Sequence, residues 1–266
     1  MLRVLGVIPA RYASTRFPGK PLAPLGHGTM LGAVWAAADA ATRIDRVIVA
    51  TEDQRIVDAC SDLGAEALLT SADHVSGTDR AAEVVRREGS GFDLVVNIQG
   101  DEPLVTPTAL DRLVAAFDGR PELPMATLAE PLTELRDLFD PGAVKVVLAG
   151  DGRALYFSRS PIPYHRGAAT RLAADFREGL ATRPGGLSGY WKHQGIYAYR
   201  RDTVLTLTKM APSPLEIDEG LEQLRALQAG IDILVVESDF RSIAVDTPAD
   251  LERAAAHVTP RQEMSR

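Results

Sequence analysis

The basic residues in the segment 9–22 could bind a ligand that carries several negative charges. This segment reads Pro-Ala-Arg-Tyr-Ala-Ser-Thr-Arg-Phe-Pro-Gly-Lys-Pro-Leu, and its cations Arg11, Arg16 and Lys20 follow an apolar run at 4–8. Open parallel sheets bind ligands beyond the carboxyl ends of their strands, where several cations suit a polyphosphate. The common ATPase loop is excluded because it requires Ser or Thr after its lysine, whereas proline follows Lys20. An ordinary basic loop is the alternative interpretation.

Two aspartates follow apolar runs and are candidate magnesium ligands. Asp101 comes soon after the run 94–98, and Asp246 directly follows 243–245, which the pattern predicts to be a strand. Mg²⁺ is usually held by one or two carboxylates together with substrate phosphates. Asp101 could instead begin a turn. Asp246 precedes Thr247 and a proline, a pattern typical of a helix start, so on physical grounds alone an N-cap is its favoured role.

Strand and helix patterns alternate through the first half of the chain and predict an α/β fold. This alternation predicts a mostly parallel sheet with helices on both faces. Continuous apolar cores such as that of 94–96 fit strands that are buried on both sides. The predicted strands are 4–8, 46–50 and 94–98, and the predicted helices are 31–41, 55–63, 79–87 and one that begins at Pro107.

Beyond residue 140 the pattern changes, and we expect a smaller lobe folded onto the same sheet. Within the polar, basic stretch 164–189, Leu172, Phe176 and Leu180 recur every four residues, which predicts a short helix that ends before Pro184. This stretch is as consistent with a lid or a subunit contact as with a passive surface loop. The predicted strands of the lobe are 144–148, 154–157, 196–199 and 233–236.

The composition and the amino terminus limit which partners and which cellular location can be expected. None of the 266 residues belongs to an apolar run near the roughly 18 residues that span a bilayer, so no membrane partner is expected. The amino terminus enters a predicted strand at once and lacks the pattern of a signal peptide, which predicts a cytoplasmic location. A net charge of −7 argues against a nucleic-acid partner. The single cysteine, Cys60, excludes an intramolecular disulfide and a cysteine-based zinc cluster.

Several segments, taken in order from about residue 3 to about residue 255, match one enzyme family. Together with the loop 9–22 they resemble the CMP-KDO synthetases, the family of 3-deoxy-manno-octulosonate (KDO) cytidylyltransferases. The other matching segments are 96–103, 144–147, 154–163, 193–200, 213–216, 221–225 and 245–252.

The resemblance implies a fold and an activity. It implies a Rossmann-like nucleotidyltransferase sheet in a single cytidylyltransferase domain, 1–266, with a nucleotide-binding part at about 1–140 and a smaller acceptor-binding and dimerisation part at about 141–255. The implied reaction is the Mg²⁺-dependent transfer of CMP from CTP to an acidic acceptor, most simply KDO, with release of pyrophosphate. The implied assembly is a homodimer.

The resemblance also assigns roles to individual residues. It implies that Asp246 joins Asp101 in holding Mg²⁺, which overrides the cap interpretation. The implied catalytic residues are Lys20, Arg11, Arg16 and Asp101. The implied nucleotide-binding residues are Ala10, Arg11, Ser14, Lys20, Ser76, Gly77, Thr78, Arg80 and Gln99. The implied acceptor-binding residues are Gln99, Arg159, His193, Tyr197 and Glu216.

Purely structural roles stay open for three of these side chains. Thr78 could cap the helix that follows it. A single histidine on a strand, such as His193, is more often a satisfied structural group than a ligand. Glu216 lies three residues after Ser213, which is the spacing of a capping box at a helix start.

Two alternative functions also stay open. A family member recruited to another small anion, such as a phosphonoformate-like phosphonate, would fit Gln194, an unusual residue for the family at that position, and the added basic residues at 166, 171, 177 and 183. Gly220, which the pattern predicts to lie inside a helix, is another departure from the family on this side. A glycosyltransferase that uses a nucleotide sugar should show an Asp-x-Asp motif, where this chain has Gly-Asp-Glu-Pro at 100–103.

Overall fold

The computed structural model describes residues 2–13, 16–166 and 173–258. A short 3-10 turn, Lys20–Leu22, follows the first strand. The strands are β1 (Val4–Pro9), β2 (Pro24–Leu25), β3 (Gly28–Thr29), β4 (Arg46–Thr51), β5 (Ala67–Leu69), β6 (Leu94–Asn97), β7 (Met125–Pro131), β8 (Lys145–Leu148), β9 (Ala154–Ser158), β10 (Trp191–Arg200) and β11 (Ile233–Glu237). The helices are α1 (Met30–Asp39), α2 (Gln54–Leu63), α3 (Gly77–Glu88), α4 (Pro107–Ala115), α5 (Leu135–Phe139), α6 (Ala173–Ala181), α7 (Arg201–Leu207), α8 (Pro214–Glu219), α9 (Gln223–Gln228) and α10 (Pro248–Ala255).

One mixed, mostly parallel sheet organises the described residues. Its main path runs β11-β7-β10-β6-β1-β4-β5, and β8 and β9 extend it as a branch that starts from β10. The pairs β1–β4, β1–β6, β4–β5 and β11–β7 are parallel. β10 is antiparallel to β6, β7 and β8. The predicted α/β fold is confirmed, and the second half of the chain adds to the same sheet.

Helices cover both faces of the sheet, as the sequence predicts. On one face a buried apolar cluster includes Leu31 of α1, Ile56 of α2 and Leu110 of α4. On the other face a second cluster includes Val84 of α3 and Val204 of α7. Because both faces are covered, the inner strands bury nearly every side chain, which is why they read as continuous apolar runs. No helix of the described residues is long and apolar enough to cross a membrane.

Polar residues at the helix starts fix where several helices begin. Thr29, Asp53, Ser76 and Thr106 each accept a hydrogen bond from a backbone N–H in the first turn of α1, α2, α3 and α4. Such caps satisfy amides that have no partner within the helix. Ser76, not Thr78, therefore caps α3, so the cap interpretation of Thr78 is wrong.

Two of the sequence-based element assignments are wrong, and one inner strand was missed. β7 was not predicted, although it lies inside the sheet between β10 and β11. The predicted strand 243–245 has no regular structure. Gly220 is not inside a helix; it ends α8 in the left-handed conformation, with a φ of 61°, which glycine adopts without a steric cost.

A small separate core supports the segment around α5 and α6. Phe176 and Leu180 of α6 are buried against Leu138 and Tyr190. The predicted helix within 164–189 is thus confirmed, and it ends before Pro184. Leu172 and Arg171 lie outside the described residues. The functional division of the chain at about residue 140 stays a prediction.

Candidate active site

The phosphate-binding candidates lie where the carboxyl ends of two parallel strands meet. β1 and β6 run side by side, and Val7 pairs with Asn97 near their ends. The loop after β1 is closed by a hydrogen bond from the Gly19 amide to the Tyr12 carbonyl oxygen, at 3.0 Å. Gly19 adopts a φ of 73°, which glycine tolerates without steric cost. This turn aims the next residue, Lys20, back across the ends of the strands.

Lys20 lies between the two aspartates that are candidate metal ligands. Its Nζ is 3.0 Å from Asp101 Oδ2, 3.4 Å from Asp246 Oδ1 and 2.6 Å from the Val245 carbonyl oxygen. Arg16 Nη2 lies 3.1 Å from Asp246 Oδ2. Residues from the start, the middle and the end of the chain therefore meet at one point.

The loop that carries Asp246 is fastened to the turn that carries Asp101. The Val245 amide donates to the Asp101 carbonyl oxygen at 2.9 Å. Ser242 Oγ lies 2.7 Å from both carboxyl oxygens of the buried Glu102. Burial raises the pKa of Glu102 to about 7, and the hydrogen bond from Ser242 opposes this effect.

Asp246 is free for a role other than capping. Thr247 is the N-cap of α10, and Asp250 completes a capping box with it. The N-cap role that the local pattern favours for Asp246 is therefore wrong. The carboxylate of Asp246 instead faces Arg16 and Lys20.

The two aspartates fit a magnesium ion. Both already contact one cationic atom, Lys20 Nζ, so the pair can share a single cation. Among residues 2–13, 16–166 and 173–258 there is no cluster of three His, Cys, Asp or Glu side chains suited to a metal. Two carboxylates without further protein ligands suit Mg²⁺, because this ion keeps several waters and takes phosphate oxygens as ligands.

A basic cavity, which we call the cradle cavity, opens beside this centre. Its volume is about 470 Å³, and its charged lining consists of four basic side chains and one acidic one: Arg11, Arg16, Lys20, Arg80 and Asp101. Ala10, Gly77 and Gln99 complete the predicted nucleotide-binding residues that line it. This excess of positive charge suits a polyphosphate. Ser14 lies outside the described residues.

Arg80 is held rigidly at the back of the cradle cavity. Its side chain is only 1% exposed, and its Nη2 lies 2.8 Å from Glu52 Oε2. Its Nη1 donates to Thr70 Oγ1 at 2.5 Å. Burial lowers the pKa of Arg80, and the nearby charge of Arg11 adds to this effect, whereas Glu52 opposes it. Arg11 and Arg80 both line the cradle cavity, and guanidinium groups bind phosphate oxygens well.

A second cavity, the acceptor-side cavity, adjoins the cradle cavity. It measures about 410 Å³ and shares Gly77, Gln99 and Asp101 with the cradle cavity. A ligand in each cavity would therefore meet at Asp101 and Gln99. Thr78, Arg159, His193 and Tyr197 line the acceptor-side cavity.

His193 enters this cavity as a neutral side chain. Burial lowers its pKa to about 3, and its ring packs edge-on against Phe157 with the ring centres 4.9 Å apart. Its Nε2 is 3.0 Å from Thr127 Oγ1, which also lies 2.9 Å from the Ile196 carbonyl oxygen. When Nε2 carries the imidazole proton, it donates to Thr127 Oγ1, whose own proton then goes to the Ile196 carbonyl oxygen. His193 thus cannot offer positive charge to an acidic ligand at neutral pH.

Arg159 does offer positive charge at the wall of the cavity. Its guanidinium donates to the carbonyl oxygens of Glu219 at 2.7 Å, Pro141 at 2.9 Å and Gly220 at 3.2 Å. An arginine has five N–H donors, so two stay available to a ligand. Arg159 is therefore both anchored and able to bind a carboxylate.

Glu216 lies outside the lining of the acceptor-side cavity. It forms the predicted capping box with Ser213. Its carboxylate also pairs with Arg225, Oε2 being 2.8 Å from Nε, and Arg225 does line the cavity. Glu216 reaches the cavity only through Arg225, and its assignment as an acceptor-binding residue stays a prediction.

Four residues of the acceptor-side cavity with ionisable side chains were missed by the sequence reasoning: Glu102, Lys192, Glu222 and Arg225. A signal existed for three of them, since Glu102 belongs to the segment 96–103 and Glu222 and Arg225 to the segment 221–225, both of which resemble the family. Lys192 precedes another resembling segment by one residue, and its Nζ donates to the Ser242 carbonyl oxygen at 2.7 Å.

Comparison with known proteins gives a consistent result. The profile of the Cytidylyltransferase family matches residues 5–233. A 3-deoxy-manno-octulosonate cytidylyltransferase of Syntrophotalea carbinolica is 48% identical over 257 residues, which cover 97% of this chain and 99% of that protein. The enzyme of the same name from Pseudomonas fluorescens is 47% identical over 93% of this chain and 94% of its own length.

Solved structures agree with the sequence relatives. A CMP:2-keto-3-deoxy-manno-octonic acid synthetase in complex with CTP superposes with a TM-score of 0.83 at 39% identity, covering 96% of this chain and 98% of that one. A 4-diphosphocytidyl-2C-methyl-D-erythritol synthase from Anaerococcus prevotii shares the fold, with a TM-score of 0.60 at 12% identity and coverage of 96% and 98%. The chain therefore belongs to the 3-deoxy-manno-octulosonate cytidylyltransferase family of CTP-dependent nucleotidyltransferases.

Proposed function

We propose that this enzyme transfers CMP from CTP to KDO in a Mg²⁺-dependent reaction that releases pyrophosphate. The observation that carries the proposal is the position of Asp101, which lines both the basic cradle cavity and the acceptor-side cavity and shares Lys20 Nζ with Asp246. The names of relatives that are 45–48% identical over nearly their whole length support KDO as the acceptor.

The cradle cavity would bind the triphosphate of CTP. Arg11, Arg16 and Lys20 neutralise the charge that moves onto the pyrophosphate as it leaves. Gly77, at the start of α3, lies close to Pro9 and Gln99, so its backbone can approach the nucleotide. Both reactants are held in place and no covalent intermediate is required, so the residues act mainly through positioning and electrostatics.

Asp101 and Asp246 would hold Mg²⁺, which when bound supplies positive charge to the phosphate oxygens. Lys20 contacts both carboxylates. Its ammonium would then turn to a phosphate oxygen, since a lysine on a flexible four-carbon stem can exchange one anionic partner for another.

The acceptor-side cavity would place a hydroxyl of the sugar acid in line with the α-phosphorus. Arg159 keeps two N–H donors for the carboxylate of the acceptor. The neutral imidazole of His193 and the amide of Gln99 offer hydrogen bonds to sugar hydroxyls. A homodimer, as the family resemblance implies, completes the proposal, and sedimentation equilibrium would measure it.

An acceptor panel tests this proposal. The purified enzyme with CTP and Mg²⁺ would be offered KDO, its 8-amino analogue, neuraminic acid and a small phosphonate, and CMP conjugates would be detected by mass spectrometry. We expect a conjugate with KDO. If KDO gives no conjugate while a phosphonate does, the enzyme is still a cytidylyltransferase but its acceptor is not KDO.

A further inference from the structure

A buried ammonium group without a carboxylate partner lies behind the acceptor-side cavity. The side chain of Lys145, at the start of β8, is fully buried. Its Nζ donates to the carbonyl oxygens of Ala143 at 2.6 Å, Arg159 at 2.6 Å and Asp140 at 2.9 Å. No ion pair to Lys145 is found among the described residues. Burying a charge in this way costs several kcal/mol unless the hydrogen bonds offset it, which suggests a role beyond packing.

The geometry requires the charged form of Lys145. An ammonium group has three N–H donors, one for each carbonyl oxygen, whereas a neutral amine would point a lone pair at one of them. Burial lowers the pKa of Lys145 to about 8. The nearby charge of Arg159 acts in the same direction, and the charges of Asp140 and Glu219 oppose it.

The three carbonyl oxygens belong to two different walls of the acceptor-side cavity. Asp140 and Ala143 are the first and last residues of the loop 140–143. Gly142 and Ala143 of this loop line the cavity. Arg159, directly after β9, lines it too. Lys145 thus ties the loop and the end of β9 together from behind.

Arg159 binds the same loop from the other side. Its Nη1 donates to the Pro141 carbonyl oxygen at 2.9 Å, its Nε to that of Glu219 at the end of α8, and its Nη2 to that of Gly220. The carboxylate of Glu219 in turn accepts hydrogen bonds from the Arg159 amide at 2.9 Å and from Ser158 Oγ at 2.5 Å. Lys145, Arg159 and Glu219 therefore form one network, which we call the Lys145 hub.

We propose that Lys145 is a positioning residue for acceptor binding: it fixes the backbone of Arg159 and the loop 140–143 without touching the acceptor. The inference rests on the proposed function, in which Arg159 binds the carboxylate of a sugar acid. None of the atoms that Lys145 contacts lines the cradle cavity, so its effect is confined to the acceptor side.

The test compares Lys145→Met with a control of similar structural cost. Methionine preserves the length of the side chain and removes all three donors. Leu113→Ala is the control, because Leu113 is a fully buried residue of α4 in the cluster on the opposite face of the sheet. We expect Lys145→Met to raise the KM for KDO about tenfold or more, since hydrogen bonds to a charged group are lost, while the Kd for CTP stays within about twofold. Leu113→Ala should lower the melting temperature and leave both constants unchanged.

Two results would overturn the proposal. The first is an unchanged KM for KDO in a Lys145→Met enzyme that still binds CTP, and the second is an equal loss of affinity for CTP and KDO. If Lys145→Met does not fold, Lys145→Gln, which removes the charge and keeps two N–H donors, takes its place, and an unchanged KM for KDO in that variant would contradict the proposal as well.

Failure of the proposed function would look different. In that case the wild-type enzyme would form no conjugate from KDO. The Lys145 test instead compares the KM for the acceptor in the variant with the KM in the wild type. The same comparison would then be made with the acid that the acceptor panel identifies. We again expect Lys145→Met to raise the KM for the acceptor and to leave the Kd for CTP unchanged.

Discussion

Lys20 lines the cradle cavity and contacts both candidate metal ligands. Its Nζ contacts Asp101 and Asp246 directly, and its side chain is only 14% exposed. A cation in such a water-poor position stabilises developing charge much more strongly than one in bulk water.

Lys20→Ala should therefore reduce turnover by about a hundredfold or more, because one well-placed electrostatic contact to the transition state is worth roughly 3 kcal/mol. Steady-state release of pyrophosphate measures the effect. Lys209→Ala is the matched control, because Lys209 is exposed on the surface after α7 and should leave turnover unchanged. Equal rates in both variants would contradict the role assigned to Lys20.

His193 makes the stability of the enzyme depend on pH. In the folded chain its pKa is lowered from 6.5 to about 3 by burial, so below pH 6.5 the unfolded chain takes up a proton that the folded chain refuses. The free energy of unfolding should then fall as the pH falls from about 6.5 to about 3, in total by a few kcal/mol.

Urea unfolding at pH 7.5 and pH 5 tests this sign, with His193→Phe as the comparison. Phenylalanine keeps the ring packing against Phe157, and Thr127 keeps its hydrogen bond to the Ile196 carbonyl. The wild type should lose more stability than the variant on acidification. The same loss in both proteins would show that His193 does not titrate as argued.

At the scale of single residues, the sequence indicated which side chains come after a strand but not which partners they contact. The family resemblance, and not the local pattern, joined Asp246 to Asp101 as a metal ligand, and in the structure Lys20 Nζ lies within 3.4 Å of both carboxylates. The partner of Glu216 is Arg225, and that of His193 is Thr127. Such partners come from contacts between distant segments, which no local pattern contains.

At the scale of elements, the junction between the ends of β1 and β6 depends on one glycine. A Cβ atom on Gly100 would lie 2.8 Å from the Pro9 carbonyl oxygen, which is backbone and cannot move aside easily. Asp101 follows directly, so any shift at residue 100 moves a candidate metal ligand.

Gly100→Ala should lower the melting temperature and reduce turnover, because overpacking of this kind costs about 1–3 kcal/mol. Gly150→Ala is the control, since a Cβ there meets no atom within 4 Å. Thermal melts and turnover measured side by side decide the matter. If Gly100→Ala matches Gly150→Ala in both, the close approach of these two backbones has no consequence.

Elements with strong local patterns were predictable, and those defined by their neighbours were not. The buried parallel strands and the amphipathic helices follow from apolar runs and helical spacing. β7 was not predicted because its sequence has no run of β-branched residues and ends in a charged residue and a proline. It reads Met-Ala-Thr-Leu-Ala-Glu-Pro. The segment 243–245 reads as a strand, yet its backbone bonds go to Lys20 and to Asp101.

At the scale of the whole molecule, an acidic protein concentrates positive charge at one edge of its sheet. The net charge is −7, whereas the charged lining of the cradle cavity is mostly basic. The two candidate metal ligands come from distant parts of the chain, so a ligand that bridges them should stabilise the folded state by mass action.

CTP with Mg²⁺ should raise the melting temperature of the wild type more than CTP alone. Asp246→Asn should melt near the wild-type temperature, because Thr247 and Asp250, not Asp246, cap α10, and it should lose the part of the shift that depends on Mg²⁺. Differential scanning fluorimetry measures both. A variant that melts far lower but keeps the shift would make Asp246 a structural residue.

The most direct test of cytidylyl transfer is the ³¹P NMR spectrum of enzyme, CTP, KDO and Mg²⁺ followed over time. Attack on the α-phosphorus predicts a phosphodiester of CMP and KDO that appears together with an equal amount of pyrophosphate. It also predicts that neither product forms when UTP or ATP replaces CTP. The appearance of CDP with a phosphomonoester of KDO, or equal product formation from UTP or ATP, would contradict the function proposed for this enzyme.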